Sequence, residues 1–252
     1  MRIARVQHGR AISFAVLEGD TAAELGGPPI GELRFTGNRV PLAEARLLAP
    51  VLPSKVVCVG RNYVEHAAEL GNEVPAEPLL FLKPSTAVIG PEDPIRRPAI
   101  CERLDHEGEL AVVVGGLVRG VSEDEAQDAI LGYTCGNDVT ARDLQSRDGQ
   151  WTRAKGFDTF CPLGPWIETD LEAIGLDIEC RVNDQVRQRG NTKDLTFTPA
   201  SLVSYVSRIM TLLPGDVIMT GTPAGVGPME PGDRVEVEIG GIGILANPVQ
   251  AA

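Results

Sequence analysis

Two glutamates separated by a single residue are the part of this chain best suited to chemistry. Glu107 and Glu109 stand in DHEGEL at 105–110, which runs into the apolar stretch AVVVGG. In a β-strand alternate side chains share a face, so both carboxylates would point the same way, with Asp105 in the same row. A hard cation would relieve their repulsion. The segment alone also fits an exposed edge strand with solvated charges. His106 would face the other way, which favours a packed or surface histidine over a metal ligand.

A third carboxylate follows in GNDVTARDLQ at 136–145. Asp138 comes after an apolar approach that is typical of a strand end, and it could bind the same ion. If a helix begins near Val139, Arg142 and Gln145 lie one turn apart on one side. Arg142 could then pair with a substrate carboxylate. The alternative is a surface salt bridge from Arg142 to Asp138 or Asp143.

The elements that must position these side chains are short. Strands are predicted at 55–60, 79–83, 109–114, 176–182 and 216–220, with a closing hairpin over 234–245. Helices are predicted at 62–70, 122–131 and 199–210, the second with a capping box formed by Ser122 and Glu125. Many short strands, 28 glycines and 19 prolines favour a β-rich α+β fold over a doubly wound sheet.

The first 50 residues are predicted to form a small module of their own. Apolar pieces broken by turns at 8–10 and 18–20 indicate hairpins, and 42–48 could be a short helix. Pro41 and Pro53 bracket this last segment. We therefore expect a small N-terminal β-rich module at 1–52 and a catalytic domain at 53–252.

Composition narrows the classes of protein. The chain has 252 residues, 43% of them hydrophobic, and a formal net charge of −12. So acidic a surface disfavours nucleic acid and anionic membranes as partners. Five cysteines without a CxxC pair argue against a disulfide framework or a zinc ribbon. No apolar run approaches the ~18–20 residues of a membrane helix, and the start resembles a strand rather than a signal peptide, so we expect a cytoplasmic protein.

Six segments, taken in order, resemble the fumarylacetoacetate hydrolase family. They are GRNYVEHAAE at 60–69, FLKPS at 81–85, DHEGEL at 105–110, NDVTARDLQ at 137–145, RAKGFDTFCPLGP around Lys155, and GDVIMTGTPAGVG at 215–227. The resemblance implies a catalytic domain with a mixed β-roll, usually dimeric. The first 50 residues resemble, more loosely, a small extra module of some longer bacterial relatives.

The resemblance also assigns site residues. The metal ligands it implies are Glu107, Glu109 and Asp138, with Mg²⁺ usual and Mn²⁺ or Ca²⁺ as substitutes. The substrate-binding residues it implies are Arg61, Arg142, Gln145 and Thr222. The catalytic residues it implies are His66, Glu69 and Lys155. Gly108 is often a larger residue in relatives, and because its side chain would point away from the metal we expect no loss of binding.

The residue types suggest roles. On a helix His66 and Glu69 share a face, so Glu69 could orient the imidazole as a general base, although an isolated pair of this kind also fits a surface contact. Lys155 lies between Trp151 and Phe157 in the sequence and could stabilise an enolate or oxyanion. The alternative is an ordinary amine at the surface. Glycines 221, 225 and 227 lack the Gly-Lys-Ser/Thr of a phosphate loop, which excludes nucleotide binding.

Family members perform three related reactions on small oxo-acids through a metal-stabilised enolate. These are hydrolysis of a C–C bond in acylpyruvates or fumarylacetoacetate, decarboxylation of oxo-diacids such as oxaloacetate, and isomerisation of 2-hydroxy-dienoates. The first expectation is 2-hydroxyhepta-2,4-diene-1,7-dioate isomerase of aromatic catabolism. A non-catalytic metal- or ligand-binding protein on the same fold is the alternative from another class.

Overall fold

Strands make up most of the regular structure. The computed structural model describes residues 1–69 and 71–252. The strands are β1 (Arg2–His8), β2 (Ala11–Glu18), β3 (Thr21–Leu25), β4 (Phe35–Pro41), β5 (Arg46–Leu48), β6 (Val56–Gly60), β7 (Leu79–Lys83), β8 (Val88–Ile89), β9 (Ile95–Arg97), β10 (Leu104–His106), β11 (Gly108–Val114), β12 (Ile130–Asn137), β13 (Thr140–Ala141), β14 (Cys161–Glu168), β15 (Asp177–Val182), β16 (Gln185–Asn191), β17 (Val217–Met219), β18 (Gly227–Pro228), β19 (Arg234–Ile239) and β20 (Gly243–Ala251). The β-rich α+β class is confirmed.

These strands form three sheets. The main sheet has twelve strands in the order β4-β3-β2-β1-β14-β12-β11-β17-β6-β7, with β5 on β1 and β8 on β14. A second sheet of five strands has the order β16-β15-β19-β20-β9, and a third of three strands has the order β13-β10-β18. Most neighbours are antiparallel, but β17 runs parallel to β6. The sheet is therefore mixed.

Central strand β11 lies between two hydrophobic layers. Leu110 and Val112 belong to the core that also holds Cys180 of the five-stranded sheet. Ala111 and Val113 belong to a second core on the opposite face. Because both faces are covered, the strand is buried along its whole length, which fits the apolar run LAVVV over 110–114.

The described ranges contain five α-helices, which connect the strands. They are α1 (Val64–Glu69), α2 (Glu123–Asp128), α3 (Arg142–Arg147), α4 (Thr152–Lys155) and α5 (Pro199–Ile209). The capping box of Ser122 and Glu125 is present, but α2 is shorter than predicted because residues from Ile130 onward pair as β12. The helix predicted at 62–70 begins two residues later, and Leu70 lies outside the described residues.

The helix predicted at 42–48 is wrong. A 3₁₀ turn covers only Leu42–Glu44, and residues from Arg46 onward form β5. Tertiary pairing overrides helix propensity here, because Arg5 of β1 pairs with Leu48. The N-terminal strands also continue the main sheet, since Ile3 of β1 pairs with Ile167 of β14.

Two further expectations concern the chain as a whole. All five cysteines are buried and free of disulfides. Within the described part of the chain, no helix is both long and apolar enough to cross a membrane.

Candidate metal centre and active site

Three buried carboxylates meet at the end of the central strands. Glu107, Glu109 and Asp138 each offer an oxygen, and these atoms lie within 4.8 Å of one another. All three side chains are buried. Burial excludes the alternative of an exposed edge strand with solvated charges. Clustered carboxylate oxygens are the ligands that Mg²⁺, Mn²⁺ and Ca²⁺ prefer.

The backbone brings these residues together across one strand pair. Gly108 of β11 pairs with Asn137 of β12, so Asp138 follows directly beside Glu107. The Asp138 N–H donates to the Glu107 carbonyl at 2.8 Å, and the Glu107 N–H donates to Asn137 Oδ1 at 3.0 Å. The single strand predicted through 105–110 is interrupted at Glu107. These hydrogen bonds fix the backbone of Glu107, at which the strand breaks.

Lys155 bridges two of the carboxylates. Its Nζ lies 2.9 Å from Glu107 Oε2 and 2.6 Å from Asp138 Oδ2, and its side chain is buried. Nζ also lies 5.0 Å from the ring centre of Phe81. Burial alone would lower the pKa of Lys155, but the charges of Asp138 and Glu107 outweigh it and raise the pKa. Lys155 is therefore a fixed cation of the site, not a surface amine.

Arg142 forms buried ion pairs with two carboxylates, those of Asp105 and Glu107. Its Nε donates to Asp105 Oδ2 at 2.9 Å, and its Nη2 donates to Glu107 Oε1 at 2.5 Å. The alternative of a surface salt bridge to Asp138 or Asp143 is wrong, because the guanidinium lies inward against Asp105 and Glu107. Nη1 donates to Gln145 Oε1 at 2.5 Å, which joins the two residues predicted to share a helix side.

Lys83 is a site residue that sequence reasoning missed. It ends β7, and its fully buried Nζ donates to the carbonyls of Val139 at 3.0 Å, Lys155 at 2.7 Å and Phe160 at 2.7 Å. The same atom lies 2.7 Å from Asp138 Oδ1. The available signal was its place in FLKPS, at the end of an apolar strand.

The electrostatics leave one carboxylate without a cation. Burial would raise the pKa of Glu107, but the charges of Lys155 and Arg142 hold it below its ordinary value. Burial, reinforced by the charges of Asp138 and Glu107, raises the pKa of Glu109 well above its ordinary value. Glu109 accepts the Gly221 N–H at 2.8 Å, and no lysine or arginine of the described residues pairs with it. A divalent cation fits here as the missing counter-charge.

A cavity of about 280 Å³ opens over the carboxylates. Apart from Glu69, every residue assigned to the site lines it: Arg61, His66, Glu107, Glu109, Asp138, Arg142, Gln145, Lys155 and Thr222. Arg61 adopts a φ of 60°, a conformation that non-glycine residues rarely take. Within the described residues its guanidinium has no hydrogen-bond or ion-pair partner, so it is available to a ligand.

His66 and Glu69 are adjacent on α1 but do not form a close hydrogen bond. Nδ1 of buried His66 lies 3.5 Å from Glu69 Oε2, and it has no hydrogen-bond partner among the residues that the structure describes. Both Glu69 oxygens accept the Gly225 N–H at 3.1 Å. Glu69 thus connects the helix that carries His66 to the loop at 221–227.

Thr222 and His106 are both occupied by protein contacts. The Thr222 hydroxyl donates to the Gly108 carbonyl at 2.9 Å and accepts from Gln188 Nε2 at 2.7 Å. His106 is buried and packed, with Nδ1 3.1 Å from Gln188 Oε1. Burial lowers the pKa of His106. His106 faces away from the carboxylates, as its strand position predicts.

Comparison with known proteins shows the family. Residues 55–250 match the model of the fumarylacetoacetate (FAA) hydrolase C-terminal domain, and residues 1–50 match the Rv2993c-like N-terminal model. The chain belongs to the fumarylacetoacetate hydrolase family. Its fold, a strand-rich catalytic domain of this family, agrees with the resemblance seen in the sequence.

Individual relatives match most or all of the chain. Protein Rv2993c of Mycobacterium tuberculosis is 52% identical over 99% of this chain and 98% of its own. The human mitochondrial oxaloacetate tautomerase FAHD2A is 43% identical over 83% of this chain and 71% of its own. A 2-hydroxyhepta-2,4-diene-1,7-dioate isomerase from Mycobacterium marinum has a TM-score of 0.93 and 50% identity, covering 100% of this chain and 98% of that chain. A maleylpyruvate hydrolase from Sphingobium sp. SYK-6, in complex with manganese(II) and pyruvate, has a TM-score of 0.82 and 34% identity, covering 100% of both chains.

Proposed function

We propose that this chain is a divalent-metal-dependent enzyme that converts a small 2-oxo or 2-hydroxy-dienoate diacid through an enolate. The first candidate reaction is the isomerisation of 2-hydroxyhepta-2,4-diene-1,7-dioate. The observation that carries the proposal is the buried triad of Glu107, Glu109 and Asp138 at the base of a cavity, with Glu109 lacking a cationic partner. Mg²⁺ is the proposed ion, with Mn²⁺ or Ca²⁺ as alternatives.

The triad would hold the ion, and each surrounding residue has a separate task. A bound divalent ion would supply Lewis acidity that favours the enolate form of a 2-oxo acid. Lys155 places a fixed positive charge beside Glu107 and Asp138, where it can stabilise a developing oxyanion. His66 lines the cavity, and its Nδ1 makes no hydrogen bond within the described residues. The imidazole can therefore hold or move a proton of substrate or water.

Arg142 and Gln145 were both expected to bind substrate, but their contacts indicate different tasks. Arg142 gives its Nε and Nη2 to Asp105 and Glu107, so it mainly holds a carboxylate of the triad in place. Gln145 accepts from Arg142 through Oε1, which directs its amide nitrogen away from that contact. Gln145 and Arg61 are the donors that we assign to a substrate carboxylate.

The charges of the cavity favour a dianionic substrate. The site and its surroundings hold four buried carboxylates and three buried cations: Asp105, Glu107, Glu109 and Asp138 against Lys83, Lys155 and Arg142. Arg103, which also contacts Asp105, is half exposed and screened by solvent. Arg61 adds a further positive charge at the cavity wall, so a divalent ion would leave two positive charges in excess. A dicarboxylate would cancel them.

Two related reactions are second candidates. The unengaged Nδ1 of His66 also suits activation of water, which favours an acylpyruvate or fumarylacetoacetate-type C–C hydrolase. The similarity to a tautomerase of oxaloacetate supports tautomerisation of that substrate. Its decarboxylation is a further candidate that would use an enolate as well. All of these reactions pass through an enolate of a 2-oxo acid, so the triad alone does not choose among them. A metal- or ligand-binding protein without catalysis is the remaining alternative.

An activity panel tests the proposal. The metal-loaded protein is assayed with a 2-hydroxy-dienoate diacid, acetylpyruvate and oxaloacetate, the last for both tautomerisation and decarboxylation. We expect turnover that needs added Mg²⁺ or Mn²⁺ and is lost in Glu109→Gln. Metal binding without turnover of any compound would overturn the enzymatic proposal in favour of a binding protein.

We also propose that the chain acts as a cytoplasmic homodimer whose partners include neither nucleic acid nor membrane. The net charge of −12 supports the exclusions, since it opposes binding to phosphates and anionic lipids. The dimer rests on the usual state of the family. Sedimentation of the purified protein at about its monomer mass would contradict it.

A further inference from the structure

Gln188 is buried in a strand that is otherwise exposed or partly exposed. It is the only buried residue of β16, and its relative exposure is 0%. Strand β16 forms the edge of the five-stranded sheet, whereas β11 and β12, at which the carboxylate triad lies, belong to the main sheet. An amide side chain buried at such a position must satisfy both donors and both acceptor sites within the protein.

The contacts of Gln188 use its full hydrogen-bonding capacity. Oε1 accepts from the Gly108 N–H at 2.9 Å and from His106 Nδ1 at 3.1 Å. Nε2 donates to Thr222 Oγ1 at 2.7 Å and to the Pro223 carbonyl at 2.8 Å. Because a backbone N–H only donates and a carbonyl only accepts, these contacts fix which end of the amide is oxygen.

Both hydrogen-bonding groups of the Gly108 backbone are consequently held. Gln188 accepts its N–H, and the Thr222 hydroxyl donates to its carbonyl at 2.9 Å. Gly108 is the residue between Glu107 and Glu109. Two side chains from outside the strand therefore fix the segment that sets the spacing of two candidate metal ligands.

We propose that Gln188 is a positioning residue for the metal centre. It acts by holding Gly108, and it joins this segment to the loop at 221–227 through Thr222 and Pro223. The inference rests on the proposed metal site. Residues that orient metal ligands from outside the coordination shell typically change affinity by ~10–100-fold when they are removed.

The same network determines the tautomer of His106. Nδ1 of His106 lies 3.1 Å from Gln188 Oε1 and 3.4 Å from Cys180 Sγ, and since the amide oxygen can only accept, we assign the ring hydrogen to Nδ1. Nε2 is then the unprotonated nitrogen, and it is buried without a hydrogen-bond partner within the described residues. The chain has three histidines, which makes the assignment of their ring nitrogen signals practical.

The first experiment measures Mn²⁺ affinity of the metal-free protein by electron paramagnetic resonance titration. Gln188→Met keeps a similar length but removes all four hydrogen bonds, and Gln185→Met makes the same change at an exposed position of the same strand. We expect affinity to fall at least about tenfold for Gln188→Met and to stay within twofold for Gln185→Met. The unfolding temperature of each variant is measured alongside, because a purely structural role would lower it without changing affinity.

Three results would overturn the inference or its basis. Unaltered Mn²⁺ affinity in folded Gln188→Met would refute the positioning role while leaving the metal site intact. Failure of the unaltered protein to bind Mn²⁺ would refute the metal site itself, and this role of Gln188 with it. Should Gln188→Met not fold, nitrogen-15 spectra of the unaltered protein decide. A His106 ring protonated at Nε2 instead of Nδ1 would show that Gln188 does not hold the orientation on which the inference depends.

Discussion

Both carboxylate oxygens of Glu69 lie 3.1 Å from the backbone nitrogen of Gly225. This contact fastens α1, which carries His66, to the loop that also supplies Gly221 and Thr222 to the site. Gly225 has a φ of +98°, and a Cβ at this position would lie 2.2 Å from the Arg187 carbonyl. A side chain at 225 is thus excluded, and the Glu69 end of the contact is the one open to test.

Substitutions of Glu69 should separate loop positioning from the orientation of His66. Glu69→Gln retains an oxygen for the Gly225 N–H but loses the charge beside His66, so kcat should fall while KM stays within about twofold. Glu69→Ala loses both contacts, and kcat should fall by up to ~10²-fold with a raised KM. Steady-state kinetics on the best substrate provide the measurement. Glu65→Ala, an exposed change on the same helix, is the control. Unchanged kcat in Glu69→Gln would show that Glu69 is not a catalytic partner of His66.

Removing Lys83 should destabilise the fold strongly. Lys83→Met leaves Asp138 without one of its two buried cations and three carbonyls without a donor. Breaking a buried ion pair from one side costs about 3–5 kcal/mol of the free energy of unfolding. Urea denaturation measures this cost, with exposed Lys193→Met as the matched control. A loss no larger than that of the control would mean that Lys83 contributes nothing to the stability of the site.

Glu109→Gln should abolish metal binding and yet stabilise the metal-free protein. The buried Glu109 carboxylate lacks a cation, and replacing it should raise the free energy of unfolding by about 1–3 kcal/mol. Because the pKa of Glu109 is raised in the folded state, the metal-free protein loses stability as pH rises above the ordinary pKa of 4.5. The advantage of Glu109→Gln should therefore grow over that range.

Mn²⁺ titration and urea denaturation at several pH values check both parts of this prediction. Glu172→Gln, a change at an exposed glutamate, is the control. A metal-free Glu109→Gln protein that is less stable than the unaltered one at neutral pH would contradict the electrostatic account.

Asp216 should contribute stability that is lost in acid. Burial would raise its pKa, but hydrogen bonds from the Leu213 N–H, Lys55 and Ser54 lower it below the ordinary 3.8. A group with a depressed folded-state pKa stabilises the protein above its unfolded pKa, and this contribution disappears as pH falls through the folded pKa. Asp216→Asn should cost stability at pH 7, and the difference from the unaltered protein should shrink below about pH 4. Urea denaturation between these pH values, with exposed Asp170→Asn beside it, tests this. A difference independent of pH would show that the charge of Asp216 is not responsible.

The carboxylate triad could be predicted because strand geometry and residue type agree. Alternation along a strand predicted Glu107 and Glu109 on one face, and their carboxylate oxygens do lie within 4.8 Å of each other. The break at Glu107 could not be foreseen, since it depends on two hydrogen bonds to the neighbouring segment: the Glu107 N–H donates to Asn137 Oδ1, and the Asp138 N–H donates to the Glu107 carbonyl.

Lys83 and Gln188 could not be found for a related reason. The Lys83 ammonium is satisfied by carbonyls from three later segments of the chain, and no local pattern encodes that arrangement. Gln188 has exposed neighbours on both sides, so its sequence surroundings predict a solvated residue. The failed helix at 42–48 shows the same limit, because pairing with β1 decided its conformation.

The close packing around Gly108 limits which residues a related sequence can carry at this position. A Cβ at this position would lie 3.3 Å from both Cys180 Cβ and Val237 Cγ1, on the side away from the carboxylates. A larger residue at 108 therefore leaves the ligands their direction but needs smaller partners at 180 and 237, or a wider gap between the two sheets. We therefore expect related chains with a larger residue at 108 to carry smaller residues at 180 and 237, so that the residue between the two glutamates sets how closely the two sheets can pack.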